Sequence, residues 1–220
     1  IKKGGNCALL AGVGPRGLGA IDYVLNCHNR PKVLAVTDIN QARLDRAEKL
    51  FSIEYAKERG VELHYLNTSN GDAVKDLLSI TDGKGYDDVF VYAPVKAVIE
   101  QGDDILGFDG CINFFAGPTN KELKAEMNFY DVHYNFSHVA GNAGGTTADM
   151  IESLDMMSEG KLNPAVMVTH VGGLDSVAKA TMELNLVPAG KKLCYTQIAM
   201  PMTAISDFSE LGKTDKFFAD

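Results

Sequence analysis

Cys7-Ala8-Leu9-Leu10-Ala11-Gly12-Val13-Gly14-Pro15-Arg16-Gly17 is the stretch on which the fold turns. An apolar run feeds straight into glycines spaced as G-x-G-x-x-G, and residues from about 17 to 27 then carry apolar side chains at helical spacing. A strand that turns tightly into a helix aims backbone amides and the positive end of the helix dipole at one point. A pyrophosphate suits that point. Each glycine has its own reason: Gly12 makes the tight turn, Gly14 lets backbone approach phosphate, and Gly17 lets helix and strand pack closely. The motif alone is a weak signal, because glycine is common in any turn.

The next strand strengthens it. Residues 32–37 form a second apolar run and Asp38 closes it, 21 residues after Gly17. A carboxylate there can accept hydrogen bonds from both ribose hydroxyls of an adenosine, and it would repel a 2′-phosphate. NAD is therefore expected over NADP. Arg43, in the first turn of the following helix, is placed to lie over adenine or reach a diphosphate oxygen, with a solvated surface position equally open.

Outward from this core the alternation continues. A helix is expected over 41–59, a strand over 61–66, a short helix over 72–79, a strand over 88–92, a helix over 95–106 and a strand over 111–115. The strands are continuous β-branched or aromatic runs, the pattern of a parallel sheet covered on both faces. A sixth strand is read at 135–139, a helix at 147–158 ending before Gly160, strands at 165–168 and 192–198, and a helix at 174–184 between them. The fold class is α/β: a doubly wound, mostly parallel, six-stranded sheet over residues 1–200, with 201–220 as a surface tail. Ligands of such sheets bind beyond the strand C-termini, which adds Ala93 and Gly117 near the nicotinamide half.

Composition narrows the function. The 220 residues carry 21 basic and 29 acidic side chains, a net charge of −8 without a basic cluster, so a nucleic-acid partner is not expected. No apolar run approaches the roughly 20 residues of a membrane span. Cys7, Cys27, Cys111 and Cys194 lie far apart, as in a protein of a reducing cytoplasm. Residues 1–5 have no signal core and no starting methionine, and the chain reads as part of something larger.

Gly12-Val13-Gly14-Pro15-Arg16-Gly17-Leu18-Gly19, Thr37-Asp38-Ile39-Asn40, Arg43-Leu44, Gly160-Lys161-Leu162-Asn163-Pro164, Thr169-His170 and Gly173-Leu174-Asp175 together resemble the medium-chain dehydrogenase/reductase family. Phe108-Asp109-Gly110-Cys111 and Phe114-Phe115-Ala116-Gly117-Pro118 give it the style of the polyol and sugar-phosphate dehydrogenases, such as L-sorbose-1-phosphate reductase-like members. The likeness runs from about residue 5 to 210. It implies a Rossmann domain holding NAD(P), with Gly12, Val13, Gly14, Pro15, Arg16 and Gly17 at the pyrophosphate and Asp38 with Ile39 at the adenosine. It also implies an N-terminal GroES-like domain, expected outside this chain, that would carry the catalytic zinc and much of the substrate pocket. The implied reaction is hydride transfer between NAD and an alcohol, polyol or sugar phosphate, with a homodimer through the sheet edge as a further expectation.

Other patterns carry less. Tyr92-x-x-x-Lys96 has the spacing of a reductase tyrosine–lysine pair, but Tyr92 ends a strand and Pro94 disfavours helix at residue 93. Asp131, His133 and His138 match no closed metal site. Met150, Met156 and Met157 sit at core-like helical spacing. Two alternatives stand beside the dehydrogenase: an S-adenosylmethionine-dependent methyltransferase, whose glycine loop usually follows an acid where this chain has Leu9-Leu10-Ala11, and a non-catalytic NAD-sensing module.

Overall fold

The computed structural model describes residues 1–184, 186 and 190–219. They form two compact units, Ile1–Asn163 and Pro164–Asp220. In the first unit the elements run β1 (Asn6–Leu10), α1 (Pro15–Asn26), β2 (Val33–Asp38), α2 (Gln41–Leu50), α3 (Ile53–Glu58), β3 (Glu62–Asn67), α4 (Ala73–Ile80), β4 (Tyr86–Val91), α5 (Lys96–Asp104), β5 (Leu106–Phe114), α6 (Phe129–Tyr134), β6 (His138–Gly141) and α7 (Thr147–Ser158).

The six strands make one sheet in the order β3-β2-β1-β4-β5-β6, with every pairing parallel. The winding reverses between β1 and β4. Right-handed crossovers on either side of that reversal place helices on opposite faces, so the central strands are covered on both sides. Burial agrees: Cys7 to Leu10 of β1 have no exposed surface, and all six residues of β2 are buried. Leu10, Ala35, Leu77, Tyr86, Val89, Val91, Ile105 and Ile112 form one apolar cluster, into which the Tyr86 hydroxyl brings its own partner by donating to Leu77 O at 2.9 Å.

Several elements differ from the sequence reading, among them β5, which begins at Leu106, the expected end of a helix. The helix expected over 41–59 is two helices, because Ser52 caps a new N-terminus by accepting from Tyr55 N–H while Phe51 leaves helical geometry. β6 lies three residues later than expected, since Asn135 closes α6 and Phe136 adopts a φ of +56° before the strand begins. On α7 only Met156 of the three methionines is fully packed, and Met150 is 60% exposed.

The second unit carries its own sheet. β7 (Val168–Gly173) pairs in parallel with β8 (Lys191–Tyr195) and antiparallel with β9 (Thr203–Ala204), with α8 (Val177–Met182) and α9 (Phe208–Leu211) beside them. The strand read at 165–168 is instead a 3₁₀ turn over Pro164–Met167 leading into β7. Residues 201–219, read as a tail, supply β9 and α9, so the contacts divide the chain at 163/164 rather than at 200. No helix among the described residues is long and apolar enough to cross a membrane.

Candidate dinucleotide-binding site

The turn from β1 into α1 is tied to β2 at its base. Gly12 N–H donates to Thr37 O at 2.8 Å, and Ala11 N–H donates to the Thr37 hydroxyl at 3.2 Å. Ala11 holds a φ of +52°, a left-handed conformation that a side chain adopts at a cost, and these two bonds help hold it there. Gly17 then crosses directly over Gly12. A Cβ at Gly17 would sit 1.9 Å from Gly12 O, so no other residue fits without moving α1 off the strand.

Gly14 is the opposite case. It caps α1 at φ −68° and ψ 175°, ordinary extended backbone, and a Cβ there would meet nothing within 4 Å. The space beside it is open. Pro15 occupies the first helical position and has no N–H, no side chain caps the helix, and the Arg16 and Gly17 amides have no hydrogen-bond partner among the described residues. Two unsatisfied donors at the positive end of a twelve-residue helix, facing space that a single methyl would intrude on, fit a bound diphosphate.

Asp38 closes β2 one strand away and is 5% exposed. Its Oδ1 accepts from Asn40 N–H at 2.9 Å, which orients the carboxylate at the sheet's C-terminal edge. Asn40 in turn caps α2 by accepting from Arg43 N–H at 3.2 Å. Ile39 is 72% exposed, and the Arg43 side chain is exposed with no acidic partner among the described residues. Val13 is buried under the loop.

On the other side of the reversal, Ala93 follows β4 and Gly117 follows β5, joined at their base by Ala116 N–H donating to Val91 O at 3.0 Å. The ring of Phe115 packs against that of Tyr92, centroids 5.1 Å apart and planes tilted by 47°. Gly12, Gly14, Gly17 and Asp38 thus gather on one side of the sheet's C-terminal edge, and Ala93 and Gly117 on the other.

The weaker patterns separate from this edge. Lys96 is exposed and binds Glu100 and Glu126, away from Tyr92, whose hydroxyl is pushed up by burial. His138 meets Asp109 at 3.0 Å, and Asp131 accepts from the side chains of Asn128 and Asn135. His170, on β7, bonds the Thr169 hydroxyl, and burial and then Lys192 hold its imidazole below the usual range. No three His, Cys, Asp or Glu side chains among the described residues are grouped to hold a metal ion, so the described residues do not fit a zinc site.

Sequence reasoning missed the lean of Arg16. Its guanidinium carbon lies 5.6 Å from the centroid of Phe115, across β4 from the loop that carries it. Nothing local in the sequence pairs residue 16 with residue 115.

Known proteins resemble this chain in sequence and in fold. The chain is 50% identical over its whole length to a mannitol-1-phosphate 5-dehydrogenase of Aliivibrio fischeri, covering 52% of it. It is 40% identical over 96% of its length to an L-sorbose 1-phosphate reductase of Klebsiella pneumoniae, covering 50% of that protein. The chain therefore spans about half the length of the curated relatives it matches. A dehydrogenase-type chain of Sinorhizobium meliloti 1021 solved with NADP bound superposes on 89% of the chain with a TM-score of 0.71 at 19% identity, covering 54% of that structure, which speaks to the fold alone. The methyltransferase and the sensing module find no support here. With the zinc-binding dehydrogenase model matching residues 17–159, from the third glycine of the loop to the end of α7, the chain belongs to the zinc-binding dehydrogenase family.

Proposed function

We propose that this chain holds the NAD of an oxidoreductase that moves hydride between the cofactor and the carbinol carbon of an alcohol, polyol or sugar phosphate. The observation that carries the proposal is the pair of unpartnered amides at Arg16 and Gly17, opening on the space beside Gly14, with the Asp38 carboxylate fixed one strand away. Relatives named for mannitol 1-phosphate and L-sorbose 1-phosphate support the substrate class.

In this reading the α1 amides and the loop of Gly12, Val13, Gly14, Pro15 and Gly17 take the diphosphate. Asp38 accepts the adenosine ribose hydroxyls, Ile39 covers the adenine and Arg43 flanks it. Ala93 and Gly117 carry no bulky side chain and leave room for the nicotinamide beyond β4 and β5. Bound NAD supplies the hydride acceptor. This chain's residues bind and orient it, and no catalytic side chain is assigned to them.

Asp38 also sets the preference for NAD. A carboxylate about 5 Å from a 2′-phosphate charge costs on the order of 3 kcal/mol at an effective dielectric of about 20, roughly a 100-fold preference. The test is calorimetric titration of the full-length protein and its Asp38→Ala variant with NAD and NADP. NAD binding that exceeds NADP binding in the parent, with the gap narrowed in the variant, is expected. NADP preferred by the parent would reverse the cofactor assignment, and failure of both to bind would end the dehydrogenase reading.

The same reading makes the protein a homodimer in a reducing cytoplasm. β6 is the outer strand of the sheet, all four of its residues are exposed, and it pairs only with β5 among the described residues. The four cysteines are free thiols.

A further inference from the structure

The guanidinium of Arg16 lies over an aromatic ring on the far side of β4 from its own loop. It crosses from the glycine loop to the ring of Phe115, just past the end of β5, 5.6 Å from the ring centroid. In the order β3-β2-β1-β4-β5-β6 this is two strands from β1 and three from Asp38 on β2, roughly 10 and 14 Å at about 4.8 Å per strand. The side chain has therefore left the adenosine side and reached the nicotinamide side.

There it enters a cleft of about 660 Å³ lined by Phe114 to Pro118, from the last residue of β5 onward, and by Gly141 to Gly144, from the last residue of β6 onward. Every other lining residue is uncharged, and Asn142 is the one other polar side chain. The Arg16 guanidinium forms no ion pair and no hydrogen bond among the described residues, although the chain carries 29 acidic side chains. The face of Phe115 holds the guanidinium plane by a cation–π contact and leaves its N–H fork free. A lone, pre-placed fork in an otherwise uncharged cleft is built to meet an oxyanion with two or more acceptor oxygens.

We infer that Arg16 recognises the phosphoryl group of a phosphorylated substrate, and so selects a phosphomonoester over the free polyol. The inference rests on the dinucleotide reading of the glycine loop, since it places the substrate beside the nicotinamide. Arg16 supplies binding and orientation: its fork takes two phosphoryl oxygens and fixes the distance from the phosphate to the carbinol carbon that faces the cofactor. No bond to Arg16 forms or breaks.

Inorganic phosphate is the probe, titrated into the full-length protein with and without saturating NAD, in the parent, Arg16→Met and Arg16→Lys. NAD fills the α1 N-terminus, so phosphate binding to the NAD-loaded protein reports the second site. Arg16→Met is expected to weaken that binding by about 10- to 100-fold and Arg16→Lys by less, with the NAD dissociation constant changed by no more than about 2-fold. In turnover, Arg16→Met is expected to lower kcat/KM for mannitol 1-phosphate at least about 10-fold more than kcat/KM for mannitol. A loss of NAD affinity with phosphate binding retained would return Arg16 to the cofactor diphosphate and overturn the proposal. Equal losses for mannitol 1-phosphate and mannitol would overturn it as well, since Arg16 would then be aligning the cofactor. If the parent does not bind NAD, the dinucleotide reading fails by itself; the NAD-free titrations then decide Arg16, for which equal phosphate binding by parent and Arg16→Met is the refuting result.

Discussion

Alanine at Gly14 and alanine at Gly17 make the same chemical change three residues apart and are expected to do opposite things. At Gly17 the new Cβ would fall 1.9 Å from Gly12 O and 2.3 Å from Gly12 C, both backbone atoms that no rotamer change can move. Relief to an ordinary contact of about 3.2 Å needs roughly 1.3 Å of separation between α1 and the end of β1, and overpacking of that kind costs about 1–3 kcal/mol or more. The same shift pulls the Arg16 and Gly17 amides off their target, so dinucleotide affinity should fall on the order of 100-fold. At Gly14 the φ of −68° and ψ of 175° suit alanine, and nothing lies within 4 Å of the new methyl. Folding should be unchanged or stabilised by about 0.4–1 kcal/mol through the lost freedom of the unfolded chain. Binding should still fall at least about 10-fold, because the methyl occupies the ligand's space. Urea unfolding and calorimetric NAD titration of the two variants in the full-length protein read both quantities. A Gly17→Ala protein with parental stability would refute the close crossing. A Gly14→Ala protein that binds NAD like the parent would refute the approach of backbone to phosphate.

Asp22 is buried on α1, where its Oδ2 accepts from Asn163 N–H at 2.6 Å and its Oδ1 from the Asn26 amide. Burial raises its pKa, opposed by those two bonds. Between the unfolded value of about 4 and the raised folded value, the folded protein keeps a proton that the unfolded chain has lost, so this group's contribution to stability falls as pH rises through that window. Asp22→Asn should flatten the fall, read as urea midpoints from pH 4 to 7 against the parent, and an unchanged slope would show that the carboxylate does not titrate there. Tyr86→Phe leaves Leu77 O without its buried donor and should cost about 1–3 kcal/mol in thermal unfolding, with NAD affinity kept. Lys96→Ala removes only exposed pairs with Glu100 and Glu126, so kcat/KM should stay within about 2-fold; a collapse would reinstate the Tyr92–Lys96 pair as a proton relay.

Much of the central sheet was legible because β1 and β2 are short, apolar and almost wholly buried, and because β3, β4 and β5 each carry an apolar or aromatic run that two-sided covering favours. Element ends were harder. Ser52 sits inside a helical apolar pattern, and only its hydroxyl, accepting from Tyr55 N–H, turns that position from helix interior into helix start. Phe136 reads as a strand residue by side chain, yet its φ of +56° makes it the turn before β6. The apolar run read as a strand over 165–168 opens at Pro164 and coils into a 3₁₀ turn, and the strand follows it over Val168–Gly173. In each case a local hydrogen bond or backbone angle overrode the apolar pattern.

The two halves of the candidate site differ in legibility for a topological reason. Its adenosine side is built by consecutive elements, so the glycines, the helix and Asp38 keep a spacing along the chain that mirrors their spacing in space. Its other side is assembled across the reversal, where β1 meets β4 and brings residue 16 to residue 115 and the turn after β6. No sequence interval encodes that meeting, because the intervening strands and helices set its geometry through packing. The cofactor-recognising half of such a fold is therefore readable from one sequence. The half assembled across the reversal becomes readable only when the strand order is known, and Arg16, leaning on Phe115, belongs to that half.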